Sequence, residues 1–255
     1  MVLLGITGPI GHGKTTIAGF MAQQELTSQQ IESSEIIAEV ADRLNKYFVW
    51  DSPSELNLAS VNNWLAHLPQ ILLSVTNSKV DASVLYLAEQ ELTKHPEEYK
   101  KLLEYIHTAR NKPTITQQHI TTKNKAVYRP LLQWLGGYLV EHADKGIWYN
   151  EIIRRARHAS KQGCKLYVVG GVRFPSDADI IRSAGGYIIQ IQRPNRVEGD
   201  LSDPTERERD KIQCESLIRN NGSIDELMKL SRQLYKDLLG NSLKSHYVAR
   251  SEARQ

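Results

Sequence analysis

The stretch that decides the fold lies at the start of the chain and reads VLLGITGPIGHGKTTIAGFMA, from Val2 to Ala22. It begins with a short apolar run, Val2 to Thr7, of the kind that forms a strand buried on both faces of a parallel sheet. A glycine-rich turn follows, and Thr16 then starts a pattern of apolar residues with helical spacing. A strand, a glycine-rich turn and a helix in this order predict a loop that holds a polyphosphate.

The turn, Gly8 to Thr15, matches the pattern G-x-x-x-x-G-K-[ST] at every fixed position. Glycines let the backbone direct its N–H groups toward a phosphate, and the N-terminus of the next helix adds positive potential. We expect Lys14 to reach the β and γ phosphates, and the Thr15 hydroxyl to be the Mg²⁺ ligand. Nucleoside triphosphate binding is therefore the first functional prediction.

Length and composition bound the other possibilities. The chain has 255 residues, enough for one α/β domain with a large insertion or for two small domains. Its net charge of +3 is far from that of a dedicated nucleic-acid binder. Cys164 and Cys214 form no CxxC motif, so neither a disulfide framework nor a zinc site is indicated. With no basic leader and no long apolar run, we expect a cytoplasmic protein.

Further apolar runs predict a parallel sheet. Leu166 to Val169 and Tyr187 to Ile191 flank a helix that Ser176 can cap and that Gly185 and Gly186 end. A strand, a helix and a strand at this spacing imply a right-handed parallel crossover. Weaker strand candidates are Gln30 to Ser33 and Ser216 to Arg219. We therefore predict an α/β protein with a P-loop NTPase fold, built on a doubly wound, five-stranded parallel sheet with a helical insertion.

The predicted organisation follows a change of pattern in the middle of the chain. Residues 51–125 contain no β-rich runs and are typical of several amphipathic helices. This insertion either covers the substrate or is only a packing subdomain. The other predicted parts are residues 1–50 with the P-loop and the first part of the core, 126–240 with the rest of the core and a lid near 200–211, and a polar tail at 241–255.

Arginines lie beside several apolar runs and turns in the second half: Arg129, Arg173, Arg193, Arg207 and Arg209. Guanidinium groups bind phosphates in a bidentate manner, and transfer between two nucleotides needs several of them to neutralise the approaching charges. The chain has no N-K-x-D guanine motif and no hydrophobic strand that ends in an Asp-Glu pair. The pattern therefore favours a kinase over a GTPase switch or a motor ATPase.

Three segments resemble the deoxynucleoside monophosphate kinases of the bacteriophage type, in the same order and behind the same P-loop. They are YRPLLQWLGGYL followed by IW, then YVVGGVRFPSDADIIRSAGGYIIQIQRP, then DPTERERDKIQCESLIRNNGSIDEL. The resemblance covers residues 1–20 and about Tyr128 to Leu234. It implies phosphorylation of a deoxynucleoside monophosphate to the diphosphate with ATP and Mg²⁺, on a P-loop nucleotide-kinase fold.

The resemblance also implies roles for individual residues. The ATP site would comprise Gly8, Gly11, Gly13, Lys14, Thr15 and Thr16 with Arg193 and Asn221. His12 lies inside the same loop, at a variable position of the motif, and is a further candidate for cofactor binding. Asn221 belongs to an asparagine-glycine turn with Asn220 and Gly222 near the base. The monophosphate side would comprise Arg129, Gln133 and Gly136 of one helix, Trp148 after it, and Ser34 at a strand end. The expected catalytic residues are Lys14, Arg129, Arg173 and Arg207, and Glu206 matches the acidic residue of the lid.

Three places depart from the family's pattern. Family members commonly have an aspartate where this chain has Gly171, and Asp177 is our candidate replacement. The alanine-proline-leucine-lysine segment on the substrate side reads SSEIIAEVADRLNK from Ser33, and Asp203 stands where the lid usually has histidine. Two alternatives therefore stay open: a small-molecule kinase of the dephospho-coenzyme A kinase type, and an ATP-binding regulatory or assembly module. We expect a nucleotide substrate, no nucleic acid and no membrane partner; a homodimer stays open.

Overall fold

The structure is a computed structural model that describes residues 1–24, 27–48, 57–121, 124–194 and 208–249. The strands of these residues are β1 (Val2–Thr7), β2 (Gln29–Glu32), β3 (Leu166–Gly170), β4 (Tyr187–Gln192), β5 (Ser216–Asn220) and β6 (His246–Ala249). Their α-helices are α1 (Lys14–Ala22), α2 (Ser33–Asn45), α3 (Leu58–Leu65), α4 (Leu68–Thr76), α5 (Glu89–Lys94), α6 (Pro96–Asn111), α7 (Lys125–His142), α8 (Ile147–Lys161), α9 (Pro175–Ser183) and α10 (Ile224–Leu239). Short 3₁₀ turns lie at Ala82–Leu85 and Pro113–Gln117. Among the helices described, none is both long and apolar enough to cross a membrane.

The chain forms two compact units. We call residues 1–33 and 149–255 the sheet unit, and residues 34–148 the helical unit. The predicted insertion at 51–125 lies inside the helical unit, which also includes most of α2 and all of α7. Its wider bounds have a physical reason, because α2 and α7 pack on the insertion helices. The Trp64 indole donates a hydrogen bond to the Leu44 carbonyl (3.0 Å), and the Tyr105 hydroxyl donates to Asn45 (2.7 Å).

The sheet is parallel throughout the described residues, with the order β2-β3-β1-β4-β5-β6. The strand β1 pairs with β3 on one side and with β4 on the other, so the connections diverge beside it. In open parallel sheets, ligands bind beyond the carboxyl ends of the strands at such a switch point. This architecture is compatible with a P-loop NTPase-like fold, while its doubly wound description stays a prediction.

All five predicted strands are present, but the predicted strand number is wrong because the sheet has a sixth strand. This strand, β6, lies in the segment that we expected to be a polar tail, and it pairs with β5 from Leu217↔His246 to Asn220↔Ala249. Tyr247 is buried, and its hydroxyl donates to the Asp237 carboxylate of α10 (2.8 Å). The short run HYVA has too few apolar residues to be recognised as a strand from the sequence. Its stability comes instead from pairing with β5 and from the contact of Tyr247 with Asp237.

One face of β1 forms the main core of the sheet unit. Leu4 and Ile6 pack in a cluster with Ile17 and Met21 of α1 and with Leu234 of α10. On the opposite face of β1, side chains of β4 and α9 pack so closely against the backbone that only glycine fits at position 5. A Cβ atom on Gly5 would lie 2.6 Å from Ile188 Cδ1 and 2.9 Å from Ile181 Cδ1 of α9. The packing on the two faces holds β1, and with it the loop that follows β1, in a fixed position.

Candidate functional site

The chemistry-bearing residues of the sheet unit gather at one edge of the sheet. The P-loop, Gly8 to Thr15, follows β1, while Arg173 and Arg193 lie just after β3 and β4. Because the carboxyl ends of parallel strands meet at the same edge, these groups share the switch point. Both arginine side chains are exposed, and neither forms an ion pair with another described residue. The edge therefore carries guanidinium groups that can bind an anion.

The P-loop backbone requires glycine at fixed positions. Gly8, Gly11 and Gly13 have φ angles of 140°, 79° and 104°, which L-residues with side chains rarely adopt. A Cβ atom on Gly8 would also collide with the carbonyl oxygen of Ile191 in β4. Gly13 is the N-cap of α1, and without a side chain it leaves the first N–H groups of this helix to another acceptor. Such a helix N-terminus is a binding site for phosphate.

Lys14 and Thr15 begin α1 at the mouth of this loop. The Lys14 ammonium donates hydrogen bonds to the carbonyls of Gly8 (2.6 Å) and Pro9 (2.7 Å), so its charge lies across the loop. Thr15 and Thr16 are exposed on the first turn of the helix. The ammonium and the helix N-terminus concentrate positive potential at one place. The structure thus brings these residues together as predicted, and their contacts with ATP stay predictions.

His12 connects the P-loop to two neighbouring strands. Its side chain is buried, and Nδ1 accepts a hydrogen bond from the backbone N–H of Arg193 (2.9 Å). A ring nitrogen that accepts cannot carry the proton, so neutral His12 is the Nε2–H tautomer. The His12 carbonyl accepts a hydrogen bond from the side-chain amide of Asn220 (3.0 Å). The ring and carbonyl therefore brace the loop against β4 and β5, and a contact of His12 with nucleotide stays a prediction.

Asn220 has a structural role beneath the P-loop, and its position near the base, implied by the resemblance, stays a prediction. Its side chain is 5% exposed, and Nδ2 would lie 2.7 Å from a Cβ atom on Gly13. Asn221, the predicted cofactor residue, is exposed in the turn before α10. A signal for Asn220 exists in the sequence, because period-two alternation places it on the same face as Ser216 and Ile218, which are both buried. The alternation alone does not show that Asn220 lies beneath the P-loop, because that position depends on the order of the strands in the sheet.

The segment after β3 is attached to β1 by two hydrogen bonds. The Val172 N–H donates to the Ile6 carbonyl (3.0 Å), and the buried Thr7 hydroxyl donates to the Val172 carbonyl (2.8 Å). Gly171 makes the turn that this attachment requires, with φ at 71°. These contacts hold Arg173 beside the P-loop strand. Sequence analysis identified Arg173 but missed Thr7, which ends the apolar run and bears no charge.

Asp177, our candidate for the missing carboxylate, serves as a cap of α9. Its carboxylate accepts a hydrogen bond from the Phe174 N–H (3.2 Å), which the helix itself cannot satisfy. Burial raises the pKa of Asp177 to about 6, against the lowering effect of hydrogen bonds from the Phe174 and Arg173 backbone. A buried carboxylate that is already used as a cap is a poor candidate for a metal ligand.

The raised pKa of Asp177 predicts a pH-dependent stability difference. Because the folded protein holds this proton more tightly than the unfolded chain, the group stabilises the fold at low pH and loses that contribution as pH rises through about 6. Asp177→Asn keeps a neutral acceptor, so its stability relative to the parent protein should rise by about 2 kcal/mol between about pH 4 and pH 6. Urea denaturation at several pH values measures this, with the exposed Asp179→Asn as the matched control. A pH-independent difference for Asp177→Asn would contradict the assignment.

Residues predicted for the monophosphate side lie in the helical unit. Arg129, Gln133 and Gly136 follow one another at helical spacing on α7, which places them on one stripe of the helix. Arg129 and Gln133 are exposed. Gly136 instead faces α2, where a Cβ atom on it would lie 3.2 Å from Ile37 Cδ1. The stripe therefore combines two accessible polar side chains with a close helix contact.

Trp148 and Ser34 have different surroundings within the helical unit. Trp148 is buried, and its indole N–H donates to the Gly136 carbonyl (3.3 Å), so it supports α7. Ser34 lines a groove of about 310 Å³ together with Asp42, His119 and Lys125. Serine, histidine and lysine side chains can donate hydrogen bonds to an anion or a sugar. Ser34 is thus open to a ligand, and substrate contacts of both residues stay predictions.

The predicted lid residues Asp203, Glu206 and Arg207 lie outside the described residues. The neighbouring Arg209 is 3% exposed and forms an ion pair with Asp210 (2.7 Å), which favours a structural role. Among the residues that the structure describes, no three His, Cys, Asp or Glu side chains cluster as a metal site. Mg²⁺ in phosphate sites needs few protein oxygens, because phosphates and waters supply the others. The exposed Thr15 hydroxyl beside the helix N-terminus fits that donor set.

Two solved structures show a weak similarity to this chain. The tRNA Δ2-isopentenylpyrophosphate transferase of Staphylococcus epidermidis is 12% identical, with 97% of this chain and 93% of that chain covered and a TM-score of 0.15. The full-length tRNA isopentenylpyrophosphate transferase of Bacillus halodurans is 14% identical, with coverages of 97% and 90% and a TM-score of 0.14. Scores this low support no inference about this protein.

Comparison with protein sequences is more informative. The chain is 33% identical over 81 residues to a protein of Acanthamoeba polyphaga mimivirus described as a "putative deoxynucleotide monophosphate kinase". The aligned part is 31% of this chain and 38% of that protein's length. The profile of the family described as deoxynucleotide monophosphate kinase matches residues 3–230. That range includes the P-loop, α7 and the ends of β3, β4 and β5. With most of its length matched, the chain belongs to the deoxynucleotide monophosphate kinase family.

Proposed function

We propose that the protein transfers the γ-phosphoryl group of ATP to a deoxynucleoside monophosphate, giving the diphosphate and ADP. Its family makes it a phosphotransferase of the kinase type and implies the use of ATP. The observation that supports this proposal most strongly is the P-loop with Lys14 across its mouth and Arg173 and Arg193 at the same edge of the sheet. Fixed cations and backbone N–H groups at one place suit a group whose charge is spread over phosphate oxygens.

The proposed reaction needs positioning and charge neutralisation. An oxygen of the acceptor monophosphate forms a bond to the γ-phosphorus, while the bond from that phosphorus to the β,γ-bridging oxygen breaks and ADP leaves. The acceptor oxygen is already anionic at neutral pH, so no general base is required. The P-loop N–H groups and Lys14 bind the transferring and leaving phosphates, and Arg173 and Arg193 neutralise further charge. Mg²⁺ would supply further neutralisation of the phosphate charge, and Thr15 is the residue that would hold it.

The helical unit carries the groups proposed for the acceptor. Arg129 is exposed on α7, and a planar guanidinium can bind a phosphate through two parallel hydrogen bonds. Gln133 lies one turn further along the same stripe and can donate and accept hydrogen bonds to a sugar or a base. Ser34 adds a hydroxyl at the start of α2. We assign monophosphate binding to Arg129 and selection of the nucleoside to Gln133 and Ser34.

The test is ADP release from Mg-ATP with a panel of ribo- and deoxyribonucleoside monophosphates and with dephospho-coenzyme A. We expect strong stimulation by one or a few deoxynucleoside monophosphates. Arg129→Ala should raise KM for that acceptor by about tenfold or more, because a charge-assisted hydrogen bond of at least about 1.5 kcal/mol is lost. The apparent affinity for ATP should stay unchanged. The exposed Arg110→Ala on α6 is the matched control.

Other outcomes would favour other functions. Stimulation by dephospho-coenzyme A alone would replace the nucleotide acceptor with a coenzyme precursor. ATP binding without stimulation by any acceptor would favour a regulatory or assembly module and reject the proposal. An equal loss of ATP and acceptor binding in Arg129→Ala would contradict its assignment to the acceptor.

A further inference from the structure

The strand β3, which lies beside the P-loop strand β1, ends in glycine and so has no side chain at its carboxyl end. β3 pairs with β1, and its carboxyl end is Gly170, followed by Gly171. Carboxylates that support a nucleotide's Mg²⁺ must come from residues near the phosphate loop, and the end of this strand offers none. Asp177, the next carboxylate along the chain, is buried and caps α9. A carboxylate near the phosphate loop must therefore come from a strand other than β3.

Glu32 occupies the space that a side chain at Gly170 would fill. It is the last residue of β2, and it lies directly opposite Gly170 in the parallel register. A Cβ atom on Gly170 would lie 3.0 Å from both Cγ and Oε1 of Glu32. Neighbouring strands are about 4.8 Å apart, a distance that the glutamate side chain can cross. The carboxylate thus comes from β2 but lies over the end of β3, and Gly170 is what makes room for it.

The surroundings of this carboxylate are polar and specific. The buried Tyr149 hydroxyl lies 3.4 Å from the Gly171 carbonyl and has a hydrogen bond with the Ser33 side chain. Burial first, and then the nearby Asp177 carboxylate, hold the pKa of Tyr149 well above its ordinary range, with a smaller effect from Glu32. Tyr149 is therefore a neutral hydroxyl that fixes the segments around Glu32. A half-buried glutamate held among such groups is pre-organised to bind a cation or its water shell.

We propose that Glu32 is the carboxylate that positions the nucleotide's Mg²⁺, acting from the end of β2 where the end of β3 has only glycine. The inference rests on the proposed function in so far as it assumes Mg-ATP as the phosphate donor. Glu32 acts through the water shell of the ion and is a positioning residue, while Thr15 is the direct ligand assigned above. Together they would supply one direct hydroxyl ligand and one carboxylate for the water shell, and the phosphates and waters would complete the coordination of Mg²⁺.

The test measures the affinity for a non-hydrolysable ATP analogue with Mg²⁺ and with a chelator, by calorimetry and without any acceptor. Glu32→Gln should reduce the affinity gain from Mg²⁺ by about tenfold, as expected for the loss of an outer-shell partner. Its affinity in chelator and its melting temperature should match those of the parent protein. Asp179→Asn, which removes an exposed carboxylate of α9 in the same unit, should change neither value.

A second variant tests the geometry without changing Glu32. In Gly170→Ala the new Cβ would displace the carboxylate, so the gain from Mg²⁺ should fall as it does in Glu32→Gln. In the Glu32→Gln background, Gly171→Asp should restore part of the gain, since the space beside Gly171 is open and aspartate tolerates its φ of 71°. The parent protein's full Mg²⁺ gain in Glu32→Gln would overturn the proposal. So would a loss of affinity that is equal with and without Mg²⁺.

These results separate the inference from the proposed function. Nucleotide binding is measured without acceptor, so the effect of Glu32 does not depend on which monophosphate is phosphorylated. If Glu32→Gln lowers the Mg²⁺ gain but no acceptor stimulates ADP release, only the proposed function fails. If acceptors stimulate turnover but Glu32→Gln leaves the gain intact, only the inference fails.

Discussion

Lys14→Ala is expected to lower the rate of phosphoryl transfer by about 10³-fold or more, with the protein still folded. The Lys14 ammonium donates to the Gly8 and Pro9 carbonyls at the mouth of the P-loop, and it is the fixed cation that comes from the loop itself. Its charge is needed most when negative charge builds up on the oxygens around the γ-phosphorus. Removing it therefore affects the transition state more than the binding of ATP.

The measurement is the steady-state rate with saturating acceptor, together with a thermal melt. Lys229→Ala, which removes an exposed charge from α10 in the same unit, should leave both unchanged. The hydrogen bonds lost in Lys14→Ala join partly exposed groups, so the folded state should lose only about 1 kcal/mol. A variant that melts like the parent protein and turns over within tenfold of it would contradict the role assigned to Lys14.

The second large effect is on stability, and it concerns Gly8. Gly8→Ala should destabilise the protein by about 3 kcal/mol, because its φ of 140° is unfavourable for alanine and its Cβ would collide with the Ile191 carbonyl oxygen. Neither strand can yield easily, since β1 and β4 are paired in the middle of the sheet. The variant should also lose affinity for ATP, because relief of the collision moves the P-loop.

Gly19 provides a control for this experiment, because the same substitution there should have the opposite effect on stability. It lies inside α1, and a Cβ atom on it would have open space within 4 Å. Gly19→Ala should therefore stabilise the protein by up to about 1 kcal/mol through helix propensity alone. Urea denaturation of both variants checks the prediction. Similar effects of the two substitutions would contradict the strained backbone that we describe at Gly8.

The parts of the fold that local patterns encode could be predicted. The motif from Gly8 to Thr15 requires glycine for its backbone angles, so residue type alone reveals it. The strands β1, β3 and β4 are buried runs that need no partner to be recognised. β6 was missed because its stability comes from pairing with β5 and from the contact of Tyr247 with Asp237, which are both tertiary.

In the candidate site, too, some features follow from local sequence motifs and others depend on tertiary contacts. The resemblance implied that Arg129, Gln133 and Gly136 lie on one helix, and all three lie on α7. The contact of Asn220 with the His12 carbonyl joins residues far apart in the chain, and so does the position of Glu32 over Gly170. Both depend on strand order and register, which short motifs do not report. Position in the sheet, and not residue type, identifies them.

The most direct test of the central claim is the fate of the γ-phosphoryl group. ATP labelled on that group is incubated with the protein, Mg²⁺ and the acceptor that stimulates ADP release most, and the labelled products are separated by chromatography. The label should appear in the deoxynucleoside diphosphate in an amount equal to the ADP formed, and it should be absent from that product with Lys14→Ala. Label found only in inorganic phosphate, or retained in ATP while the nucleotide is bound, would contradict a deoxynucleoside monophosphate kinase.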